Sequence, residues 1–146
     1  SLQYYFQTNA AFYYRWRQNL GLKLGVNAGD MDNSNLLLND LFRLGGLQNI
    51  RGFNENYFYT NRYIYINVEP RFYFGTYSYF LLFTDLGSVE NKVETALQEW
   101  PISFGGGLNL ETSGGIFKFV YAMGQAGSQP LGFNYSRIHF GFTGRF

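Results

Sequence analysis

Long apolar runs are missing from this sequence. No stretch of its 146 residues approaches the roughly 18 consecutive apolar residues that a membrane helix requires, and the mean hydropathy is −0.20. That excludes a helical membrane protein. Cysteine is absent altogether, which removes disulfide scaffolds and thiolate metal sites and suits a protein that avoids accidental oxidation. Charge is scarce and balanced, at 14% charged residues and a net +1, so there is no electrostatic basis for binding nucleic acid. The start, Ser1-Leu2-Gln3-Tyr4-Tyr5, lacks the basic n-region, apolar h-region and small-residue cleavage site of an export signal. If the protein is exported, its signal has been removed or the chain is a fragment of a longer one.

What the sequence has in abundance is aromatic and small residues: 21% aromatic, with 16 Phe, 13 Tyr and 18 Gly. They alternate with period two, the mark of a strand whose faces meet different surroundings. Leu20, Leu22, Leu24, Val26 and Ala28 oppose Gly21, Lys23, Gly25 and Asn27. Ile64, Ile66, Val68, Pro70 and Phe72 likewise oppose Tyr63, Tyr65, Asn67, Glu69 and Arg71. The pattern predicts strands near 2–16, 20–29, 62–74, 78–89, 101–112, 115–123 and 137–146. Most of these runs reach the roughly nine residues that a tilted strand needs to cross a bilayer. The links between them alternate short and long without exception, the longest being the loop 30–61, and the polar faces suit a wet lumen. The expected fold is therefore all-β, an antiparallel transmembrane β-barrel with short turns and C-terminus on the periplasmic side. About seven strands cannot close alone, because an open sheet in lipid leaves backbone groups unpaired at several kcal/mol each. The rest of the barrel is expected on a missing N-terminal portion or on a second chain.

Parity also places chemistry. Glu69 and Arg71 share the polar face of one strand, while Asp85 shares a face with Gly87 and also with Leu81 and Phe83. The loop 30–61 holds Gly45-Gly46 and then Ile50-Arg51-Gly52-Phe53. After it come Glu69-Pro70-Arg71, Phe83-Thr84-Asp85-Leu86-Gly87, Gly105-Gly106-Gly107-Leu108, Gly114-Gly115 and a last strand closing Phe140-Gly141-Phe142-Thr143-Gly144-Arg145-Phe146. This ordered set resembles the BamA/TamA superfamily of outer-membrane assembly and translocation proteins, the bacterial surface antigens. The resemblance implies the C-terminal part of a 16-stranded barrel in the bacterial outer membrane. It further implies an Arg51-Gly52-Phe53 loop tip folded back into the lumen, with Arg51 meeting Glu69 and Asp85. Arg71, Phe83 and Gly87 would then belong to the family's strand patterns, and Phe140, Phe142 and Phe146 to a C-terminal recognition signal. Implied partners are the lipid bilayer, client polypeptides, and periplasmic POTRA domains or lipoproteins. No covalent chemistry, metal or cofactor is implied.

Simpler readings stand beside these. Arg51-Gly52-Phe53 is also compatible with an ordinary loop tripeptide, Glu69 and Asp85 with solvated lumen charges, and the terminal Phe residues with plain lipid contact. The same barrel could anchor a fused hydrolase, patatin-like or metallophosphoesterase, or serve as a passive pore. Asp30-Met31-Asp32-Asn33-Ser34 opens like a calcium loop, but Asn35 and Leu41 stand where Gly and Glu are required. The single histidine, His139, alternates with Ile138 and Phe140, which makes it a lumen residue rather than a zinc ligand or triad member. Lys118 reads as a lumen charge, not a catalytic amine.

Overall fold

The computed structural model describes residues 4–32, 41–46, 50–53, 57–91, 97–127 and 129–144. Seven long strands form one antiparallel meander: β1 (Tyr4–Arg17), β2 (Leu20–Asp32), β5 (Arg62–Tyr73), β6 (Tyr79–Asn91), β8 (Ile102–Thr112), β9 (Gly115–Gln125) and β10 (Arg137–Gly144), neighbouring in that order. The turns between β1 and β2, β5 and β6, and β8 and β9 lie at one end. The long connections lie at the other. No helix among the described residues is long and apolar enough to cross a membrane.

Alternation along each strand separates two faces. On β5 the pattern runs exposed at Ile64 and Ile66 and buried at Tyr63 and Tyr65; on β6 it runs exposed at Phe80 and Leu82 and buried at Leu81 and Phe83. The outward face is an apolar surface of large side chains, Phe72, Phe80, Leu82, Leu86 and Phe104 among them, each more than two-fifths exposed. A water-facing sheet does not leave such a continuous surface uncovered. Lipid accounts for it. All of β1 is exposed, as befits a strand whose second edge has no neighbour among the described residues.

The inner face departs from the wholly wet lumen that alternation predicts. Its long-loop half is filled by the loop itself, where Leu41, Phe42, Leu44, Ile50, Phe53 and Phe58 pack against Met31, Tyr63, Tyr65 and Val89 of the wall. Two short strands, β3 (Phe42–Leu44) and β4 (Phe58–Thr60), pair as a hairpin within this loop. Periodicity predicts loop throughout 30–61, because three alternating residues per strand are too few for it to register. Residues 33–40, 47–49 and 54–56 of it lie outside the described residues.

Wall strands also run further than predicted at the long-loop end: β2 to Asp32, β6 to Asn91 and β9 to Gln125. The extensions have partners. Met31 N donates to Asn61 O at 2.8 Å, and the end of β6 pairs with a short strand, β7 (Leu97–Glu99).

A second apolar cluster explains the mixed face of β6. Leu81 and Phe83 meet Val120 and Ala122 of β9 across the intervening β8. That reach requires β8 to be bare there: a Cβ on Gly105 would stand 2.9 Å from the Phe83 ring and 2.0 Å from Tyr121 O.

Candidate functional site

The loop tip Ile50–Phe53 lies on the inner wall, with Ile50 and Phe53 fully buried and Arg51 4% exposed. Register sets out the wall beneath it. Asn67 of β5 pairs with Asp85 of β6, and Glu69 lies one inward position further along β5. Strand alternation thus presents two carboxylates side by side.

Arg51 binds both. Its Nε and Nη2 donate to Asp85 Oδ2 and Oδ1 at 2.9 and 2.8 Å, and its Nη1 donates to Glu69 Oε1 at 2.5 Å. The Arg51 backbone N adds a fourth bond, to Asp85 Oδ2 at 3.0 Å. The fork on Asp85 is the bidentate geometry that a planar guanidinium provides and an ammonium does not. Below it, the Phe83 ring centroid lies 3.9 Å from the guanidinium carbon, in cation–π range. Burial works against the Arg51 charge, but hydrogen bonding and proximity to Asp85, then Glu69, outweigh it and raise its pKa above the usual arginine value.

The carboxylates are themselves held. Asn67 Nδ2 donates to Asp85 Oδ1 at 2.8 Å, and Arg71 Nε donates to Glu69 Oε2 at 2.6 Å. Each anion therefore has more than one charged or polar donor, the condition under which a buried pair is stable rather than costly.

Gly52 is fixed through its backbone. Its N donates to His139 Nε2 of β10 at 3.1 Å, and its O accepts from Gln129 Nε2 at 3.1 Å. Gln129 Nε2 also reaches Gly124 O at 2.9 Å. The Gly52 φ of +91° lies where side chains are strongly disfavoured, and a Cβ there would approach Gly124 N to 2.9 Å. Phe53 inserts among Phe58, whose ring centroid is 4.9 Å away, Tyr57 at 5.3 Å, and Gly124.

Of the residues singled out from sequence, Arg51, Gly52, Phe53, Glu69, Asp85, Arg71 and Phe83 thus come together. Gly87 stands apart, opposite Tyr65 toward the long-loop end. Phe140 and Phe142 face outward, 62% and 52% exposed, and both pack on Phe117. Phe146 lies outside the described residues. Sequence reasoning missed Asn67, which holds Asp85, and two tip contacts, Gln129 and the His139 acceptor. Parity put His139 on the inner face, but only the depth of the loop brings it to Gly52. Gln129 sits in a connection with no period to read.

Among the described residues no group of His, Asp and Glu is arranged to hold a metal. The site's chemistry is that of holding: an arginine fork and a glycine backbone clamped on a strand surface.

An antiparallel meander with an apolar exterior, charged residues on its inner face and a loop packed against that face is a section of a transmembrane β-barrel wall. A family model, the Omp85 superfamily domain, matches residues 1–146, and the chain belongs to that superfamily. Its members are outer-membrane β-barrels concerned with inserting or translocating polypeptides. A search of curated proteins finds no match.

Proposed function

We propose that this chain forms the C-terminal wall of an outer-membrane barrel that inserts or translocates polypeptides, with Arg51-Gly52-Phe53 serving as a latch inside the lumen. The observation that carries this reading is the sharing of one guanidinium between Glu69 and Asp85, two carboxylates on adjacent wall strands. Breaking a buried pair by removing one partner costs about 3–5 kcal/mol, enough to release a loop. Short turns then face the periplasm, and β1 pairs with further barrel strands. Phe140 and Phe142 contact lipid, and together with Phe146 they make up the C-terminal recognition signal. Client polypeptides, and POTRA domains or lipoproteins on the periplasmic side, are the partners this role requires, and the barrel performs no covalent chemistry. The loop packed into the long-loop half of the inner face favours this reading over a passive, open pore.

Arg51→Ala in the full-length protein tests the latch. Loop 30–61 is expected to become protease-sensitive and client assembly to fall. Unchanged protection together with unchanged assembly would overturn the proposal.

A further inference from the structure

The inner face between the loop tip and the short turns carries more positive charge than the latch uses. Arg15 of β1, Lys23 of β2, Lys118 of β9 and Arg71 of β5, the last already on Glu69, all occupy inward register positions there. Among the described residues the carboxylates sharing that half are Glu69 and Glu111, and Glu69 is already bound by Arg51 and Arg71. Lys118 lies within electrostatic range of the same Glu69 and of Lys23 and Arg71. Neither Lys23 nor Lys118 makes an ion pair among the described residues.

Tyrosines interleave with these cations. The Arg15 guanidinium lies 4.0 Å from the Tyr73 ring centroid, Arg71 lies 4.3 Å from Tyr79, and Lys23 lies 5.8 Å from Tyr13. Such contacts hold long side chains in place without neutralising them. At the short-turn rim the face opens onto a shallow, solvent-open groove of about 790 Å³ whose lining includes Arg15, Arg17, Gln18, Asn19 and Tyr73. Arg15 is pinned there by donating from Nε to Gln18 O at 3.0 Å. A surface with surplus cations raises the local concentration of anions.

We infer that this half of the lumen is a cation-lined vestibule that receives acidic, extended polypeptide segments entering from the short-turn side. The charges run inward from Arg15 near the rim to Lys23, Arg71 and Lys118 around Glu69. That spacing fits successive carboxylates along a chain better than a single small anion. The inference rests on the reading of the inner face as a polypeptide path, and it adds the sign of the segments favoured.

The test uses the full-length protein in detergent micelles and two fluorescent peptides of equal length, one Glu/Ser and one Lys/Ser, followed by anisotropy. The Glu/Ser peptide is expected to bind about tenfold tighter and to weaken as salt rises, as charge-driven binding does. Lys23→Glu with Lys118→Glu is expected to abolish that preference, and Lys23→Gln with Lys118→Gln to reduce it, with heat-modifiable gel mobility confirming a folded barrel in each. Equal binding of the two peptides, or a preference untouched by the folded Gln pair, would overturn the vestibule. If the preference is as strong for free glutamate as for the Glu/Ser peptide, the polypeptide assignment fails. Arg51→Ala leaves Lys23 and Lys118 in place, so loss of assembly in that variant with the peptide preference intact would separate the latch from the vestibule.

Discussion

At the scale of single residues, Arg51 and Gly52 divide the work of the tip between side chain and backbone. Arg51→Lys retains the charge but has no fork to span Asp85 Oδ1 and Oδ2 while reaching Glu69. It is expected to lose loop protection nearly as fully as Arg51→Ala, and limited proteolysis of both variants side by side checks this. Gly52→Ala is expected to destabilise the docked loop by at least about 1–2 kcal/mol from its left-handed backbone alone, with the contact to Gly124 adding to that. Amide exchange in loop 30–61 is the readout. Gln129→Ala removes a donor shared by Gly52 O and Gly124 O. A loss of about 1–3 kcal/mol from leaving buried carbonyls unsatisfied is expected in the same measurement.

At the scale of elements, the two faces of each strand should answer differently to the same substitution. Ile66 on β5 faces outward and Asn67 inward. Ile66→Lys is expected to cost about 2–4 kcal/mol, the penalty for a cation on the lipid face near the bilayer midplane. Denaturant unfolding of the full-length barrel in liposomes measures it. This two-faced pattern is why the long strands were legible in the sequence, since every second residue along β5 and β6 declares its side. The loop was legible only in its motif. Nothing periodic marks Phe42–Leu44 and Phe58–Thr60 as a hairpin, and the dryness of Tyr63 and Tyr65 depends on what packs over them. Arg51, Glu69 and Asp85 could be named because family resemblance and parity agreed on them. His139 and Gln129 could not, since their roles depend on how far a loop reaches in space.

At the scale of the whole molecule, the meander has two ends, β1 and β10, and the described residues supply no neighbour for the far edge of either. The loop tip bears on this, because its bonds fall on elements far apart in strand order: Asp85 and Glu69 on β6 and β5, Gln129 just past β9's end, and His139 on β10. Four residues of loop therefore act as a tie across the concave side, fixing the distance between the middle of the sheet and its last strand. Flattening the wall, or drawing β10 away from β5, stretches these bonds before it disturbs any ladder between neighbouring strands. The curvature of this part of the barrel and the seating of the loop are then one mechanical variable. A change that loosens either is felt by both.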